Sequence, residues 1–107
     1  MMQPQKKEEV IAMVKVVAKN FTKEDNFDEI MKLEKELVEE THKEAGNISY
    51  ELFQDTEHPE ILTMIETWKT REDLEKHLNS THFTRIVPML GEYMTKEAEV
   101  DVYEKLI

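Results

Sequence analysis

Cysteine is absent, which removes disulfides, thiolate nucleophiles and thiolate-held metals. Glycine occurs twice and proline three times in 107 residues. So little glycine leaves no GxGxxG turn, no phosphate-cradling loop and no nucleophile elbow, and argues against nucleotide and phosphate cofactors. No apolar run approaches the roughly 18 residues a membrane-spanning helix needs. Met1 to Glu9 lacks the apolar centre of a secretory signal, so a soluble, cytoplasmic protein is the expectation. Basic residues number 14 against 24 acidic ones, a formal net charge of −10. The densest basic spots, Lys6-Lys7 and Lys69 to Arg71, are short and flanked by acids. No nucleic-acid or membrane partner is therefore expected.

What is present reads as one domain. Residues 1–9 are polar, carry Pro4, and are expected to form a flexible arm before a domain over 10–107. Val10 to Lys19 reads as a first strand, with Val10, Ala12, Val14, Val16 and Ala18 on one face and Ile11, Met13 and Val17 on the other. A helix is predicted over 26–43 from the spacing of Phe27, Ile30, Leu33, Leu37, Val38 and Thr41. Its outer face is rich in Glu and Lys. Thr22 or Asp25 is the expected cap, and Gly46 suits a left-handed stop.

Asn47 to Gln54 reads as a second strand, with Ile48, Tyr50 and Leu52 on one face. Ile61 to Trp68 reads as a third, with Leu62, Met64, Glu66 and Trp68 together. Thr70 is placed to cap a helix over 71–79; more helix follows over 81–90, and Val100 to Lys105 forms a last strand. The order βαββαβ implies an α+β, ferredoxin-like antiparallel sheet with helices on one face. The first and third strands are apolar on both faces, a pattern of two-sided burial. A two-fold homodimer with sheet against sheet would supply the missing cover.

Chemistry concentrates between Asn47 and Phe83. Leu74, His77, Leu78 and Thr81 share a helix face, which aims His77 inward, where an imidazole can exchange protons near neutrality. A core histidine satisfied by a carbonyl or carboxylate is the structural alternative. Glu66 sits mid-strand among apolar neighbours, so its carboxylate must be paired or its pKa must rise. A Glu66–His77 pair would satisfy both groups; a buried structural bond or a salt bridge across a dimer would also serve. Trp68, Tyr50, Phe53 and Phe83 could wall an aromatic cavity, and Met64, Met89 and Met94 could form a soft wall, or all could be core. On one continuous helix His77 and His82 would stand roughly 140° apart around the axis at about 3.6 residues per turn. They lack the i,i+4 spacing of helical zinc ligands, and no metal site is expected.

The segment Gly46-Asn47-Ile48-Ser49-Tyr50-Glu51-Leu52-Phe53-Gln54-Asp55, then Pro59, Glu66-Thr67-Trp68, Leu74-Glu75-Lys76-His77-Leu78 and Ser80-Thr81-His82-Phe83 resembles the antibiotic biosynthesis monooxygenase (ABM) domain family. The resemblance covers about residues 10 to 104. It implies a dimeric α+β barrel with a cavity between sheet and helices in each subunit. Some relatives oxidise hydroquinones or aromatic polyketides with dioxygen and no metal or flavin. Others degrade heme, handle autoinducers or have no known substrate; fold alone does not choose among them. The heme-degrading relatives carry an asparagine in the first strand and an iron-binding histidine. Val10 to Lys19 contains no asparagine, and Val87 stands about where that histidine would be, so heme degradation is disfavoured.

The resulting expectation is a cofactor-independent monooxygenase acting on a small quinol or phenol with dioxygen. His77 is the expected base and Glu66 its orienting partner. Trp68, Tyr50, Asn47, Phe83 and Met64 are the expected substrate contacts. The alternatives are a non-catalytic dimeric binding module, and a structural dimer in which Glu66 and His77 only lock the core.

Overall fold

The computed structural model describes residues 12–107. The expected arm, together with Val10 and Ile11, lies outside the described residues. Seven elements follow one another: β1 (Val14–Phe21), α1 (Phe27–Thr41), β2 (Asn47–Gln54), β3 (Ile61–Trp68), α2 (Arg71–Leu78), α3 (Thr81–Gly91) and β4 (Glu99–Glu104). The four strands form one antiparallel sheet in the order β2-β3-β1-β4. This is the α+β ferredoxin-like arrangement expected from the element order.

Register follows hydrophobic patterning, because a one-residue slip would turn every side chain to the other face. Val14 pairs with Trp68, Val16 with Glu66 and Ala18 with Met64, while Tyr50 pairs with Glu66 from the other side. This face meets Ile30 and Leu37 of α1, Leu74 of α2 and Ile86 and Leu90 of α3 in one core. Glu66 therefore points inward. The expected first strand is displaced. It begins at Val14 and continues through Asn20 and Phe21, because β1 pairs residue for residue with the whole of β3, ending at Phe21 opposite Ile61.

A bulge interrupts β2 between Asn47 and Ser49. An extra residue re-aims its neighbours, so Ile48 is exposed while Tyr50 is buried. Ile48 does not share the Tyr50 face, as simple alternation would require. Phe53 is also exposed, and does not wall the interior.

Local signals account for the helix ends with two corrections. Neither Thr22 nor Asp25 caps α1; its N-cap is Asn26, without a side-chain cap, and Thr22 Oγ1 donates to the Glu60 carbonyl at 2.8 Å. Gly46 does not adopt a left-handed conformation. It is small for a different reason: a Cβ there would stand 2.1 Å from Asp73 Cγ. Asp73 is held in place because Thr70 Oγ1 donates to its Oδ2 at 2.9 Å.

Thr70 caps α2 as expected, accepting from the Asp73 amide at 3.0 Å. Ser80 caps α3, accepting from the Phe83 amide at 3.2 Å. A second cap of this kind starts a second helix, so α2 and α3 have separate axes. The helices do not reach across β4. Val100 and Val102 lie on the helix-side face yet are exposed.

Candidate active site

A cavity of about 440 Å³ lies between the sheet and the helices. Tyr50, Met64 and Glu66 line it from β2 and β3, Glu34 and Leu37 from α1, and Phe83, Val87 and Leu90 from α3. Asn20 of β1 and residues Met94 to Lys96, after α3, complete one side.

Glu66 is 6% exposed. Trp68, two residues along the same strand and therefore on the same face, donates its indole N–H to Glu66 Oε1 at 2.9 Å. Burial raises the Glu66 carboxyl from an ordinary 4.5 to about 7; the indole hydrogen bond works against this and the negative Glu44 adds to it. Glu34 is 3% exposed. Burial likewise raises its carboxyl to about 7, and its Oε1 has no hydrogen-bond partner among the described residues. Tyr50 is pushed well above the usual phenol value by burial and then by the acids Glu66, Glu34 and Glu44. Two carboxyls that titrate near neutrality in a cavity wall can accept and return protons under ordinary conditions.

His77 is wholly buried, but no hydrogen bond joins it to Glu66. Its Nδ1 lies 2.7 Å from Glu44 Oε2. His82 Nε2 lies 2.6 Å from the same oxygen. A carboxylate accepts and does not donate, so each of these ring nitrogens carries the proton. Glu44 follows α1 and reaches His77 of α2 and His82 of α3. The expected Glu66–His77 contact fails because each group has a nearer partner, Trp68 for the acid and Glu44 for the imidazole. Burial lowers the His77 pKa, the Glu44 hydrogen bond and charge oppose this, and His82 lowers it further. His77 Nε2 is buried without a partner. The ring packs against Trp68, Phe83 and Tyr50 at centroid distances of 4.6, 4.9 and 5.2 Å.

The helical-spacing argument that separated His77 from His82 assumed one helix, and the Ser80 cap breaks it. Ligand-capable atoms of Glu44, His77 and His82 lie within 4.8 Å of one another, a donor set of the type that divalent zinc accepts. The two N–H groups already meet Glu44, so the cluster also reads as a hydrogen-bonded knot, with His77 Nε2 left over.

Of the residues expected at the site, Glu66, Tyr50, Met64 and Phe83 line the cavity. His77 lies behind two of them, since Tyr50 and Phe83 are both cavity wall and ring neighbours of His77. Trp68 is fully buried and reaches the wall through Glu66. Asn47 does not line the cavity; its amide donates to the Ser49 and Thr67 carbonyls at 3.0 and 3.4 Å, bracing the bulge. Met94 lines the cavity and Met89 is exposed.

Asn20, Glu34 and Glu44 escaped the sequence reading. Asn20 falls inside the observed β1, so the first strand does contain an asparagine. Its amide donates to the Ala18 and Leu62 carbonyls, both at 3.3 Å. Val87 lines the cavity and brings no imidazole there. Glu34 was legible in principle. It occupies the buried row Ile30, Glu34, Leu37, Thr41, with the i+4 and i+7 offsets of a helix core face. Glu44 lies outside any periodic element and left no such signal.

Residues 13–89 match the antibiotic biosynthesis monooxygenase family. The chain belongs to that family. This ABM chain is 46% identical to a conserved protein from Methanosarcina mazei Go1 of known crystal structure, covering 90% of this chain and 95% of that one with a TM-score of 0.87. It is 33% identical to a crystallised antibiotic biosynthesis monooxygenase, covering 88% of this chain and 99% of that one, TM-score 0.83. An uncharacterized protein of Synechocystis sp. is 29% identical over 90 residues. That match takes in 83% of this chain but 61% of the longer relative. Among the described residues of this ABM chain, no helix is long and apolar enough to cross a membrane.

Proposed function

We propose that this ABM protein is a cofactor-independent monooxygenase that oxidises a small electron-rich aromatic, a quinol or phenol, with dioxygen. The observation that carries the reading is Glu66, a carboxyl brought to about 7 in the wall of a partly open cavity that Tyr50 and Phe83 also line. Glu66 takes the proton-acceptor role that sequence alone suggested for His77, because Glu66 and not His77 lies in the cavity wall. Trp68 holds one Glu66 oxygen, leaving the carboxylate oriented. Tyr50, Phe83 and Met64 contact the ring of the substrate. His77, fixed by Glu44, backs Tyr50 and Phe83 and is a positioning residue.

Deprotonation makes a phenol far easier to oxidise. The substrate anion passes one electron to dioxygen, and the radical pair recombines to form a carbon–oxygen bond. Cleavage of the O–O bond then leaves one oxygen atom in the product. The other leaves as water with two substrate hydrogens. For a hydroquinone the product is a hydroxyquinone, and the substrate supplies all four electrons. Positioning and oxyanion stabilisation are then the protein's main contributions. A homodimer forms part of this proposal, motivated by the exposed apolar Val100, Val102, Tyr103 and Leu106 beside the sheet edge.

Oxygen uptake with a panel of hydroquinones tests it. Wild type should consume oxygen, with kcat/KM rising with pH and levelling above about 7 as Glu66 ionises. Glu66→Gln should lower the rate on the order of 1,000-fold, within the usual range for loss of a general base. Equal uptake by the two proteins would remove Glu66 from the base role. Ligand-induced thermal stabilisation with no oxygen uptake would instead favour a binding module.

A further inference from the structure

Glu34 is a buried carboxyl in an otherwise largely apolar helix row. It stands in the core row of α1 between Ile30 and Leu37, where a leucine would continue the apolar packing. The acid is 3% exposed and its Oε1 finds no partner among the described residues. A buried polar atom left unpaired is costly, and native proteins keep few of them. Yet Glu34 is also part of the cavity wall, contributed by the helix side, while Glu66 is contributed by the sheet side. Whatever fills the cavity therefore meets two carboxyls on facing walls.

We infer that Glu34 is a specificity-determining residue that accepts a hydrogen bond from the ligand, so that the cavity selects aromatics carrying two donor groups, one for Glu66 and one for Glu34, over aromatics carrying one. The inference rests on the reading of the cavity as an aromatic site. The ionisation behaviour agrees with it. Burial is what raises the Glu34 carboxyl, so a ligand donor would supply the hydrogen bond that the protein withholds. A site with an unpaired buried acceptor discriminates strongly against a ligand lacking the matching donor, because that acceptor then stays unpaired in the complex.

Anaerobic calorimetry with 1-naphthol, 1,4-dihydroxynaphthalene and 1,5-dihydroxynaphthalene tests this without turnover. Wild type should bind at least one of the two diols about tenfold tighter than 1-naphthol, the ratio expected of one added hydrogen bond. Glu34→Leu should bring the ratio to about one. Glu34→Met, with a more adaptable side chain, should give the same loss. A preference that survives both substitutions, or its absence in wild type, overturns the role of Glu34. Oxygen uptake by that same wild type would then leave the monooxygenase reading standing. The converse pattern, a Glu34-dependent preference without oxygen uptake, supports the inference and removes the monooxygenase. If none of the three compounds binds, both ideas fall together.

Discussion

Two carboxyl neighbourhoods inside this fold have opposite character. At Glu44 one oxygen receives N–H groups from His77 and His82 at 2.7 and 2.6 Å. At the cavity Glu66 receives one indole N–H, and Glu34 Oε1 receives nothing. The first arrangement joins three chain segments: the connection after α1, α2 and α3. The second leaves acids whose protons are loosely determined, both titrating at about 7. A buried acid given enough donors holds structure together; one denied them becomes available for chemistry. His77, the sequence's leading candidate for catalysis, falls on the structural side of that line.

Substitutions can break the contrast or sharpen it. The largest effect on stability is expected from His77→Ala. It empties a ring-sized volume against Trp68, Tyr50 and Phe83 and takes one donor from Glu44, and should cost about 4 kcal/mol in urea unfolding. A loss below about 1 kcal/mol, within the range of an ordinary surface change, would mean that the knot does not brace the fold.

Glu34→Leu should act in the opposite direction. The raised pKa means that the folded protein binds this proton more tightly than the unfolded chain. The associated stability is present below the ordinary 4.5 and is lost as pH rises through about 7. Leucine removes that loss, so the variant should exceed wild type by about 3 kcal/mol at pH 8. The gain should shrink toward zero near pH 4.5. A pH-independent difference would show that Glu34 is not the strained acid described here.

His82→Ala should have the smallest effect, about 1 kcal/mol, because His82 is partly exposed and water can replace its N–H to Glu44. A loss matching that of His77→Ala would place the two imidazoles on equal footing and blur the distinction between a buried clamp and its outer partner.

Much of the fold was legible because strands and helices leave periodic traces. The inward set Leu62, Met64, Glu66 and Trp68 followed from alternation alone, as did Thr70 as a cap. The misreadings have local physical causes. The bulge after Asn47 reversed Ile48, and pairing with β3 drew β1 forward to include Asn20. The spacing argument for His77 and His82 treated them as lying on one helix, whereas Ser80 starts a second one, and this brought His82 back toward His77. Glu34 was not singled out, although its position falls on the buried row of its helix. At the site, Glu66, Tyr50, Met64 and Phe83 were found from sequence, whereas the partner of His77 was not.

The order of elements, the shared face of Leu62, Met64, Glu66 and Trp68, and the inward aim of His77 were set by the amino-acid pattern, since periodicity and short-range capping act along the chain. Which acid meets which imidazole was decided only when the chain folded. Glu44 and His77 are 33 residues apart and Glu44 and His82 are 38, and no local rule relates them. Hydrogen bonds form with whichever donor packing brings within reach, so the division between the twice-bonded Glu44 and the sparsely bonded cavity acids belongs to the tertiary structure.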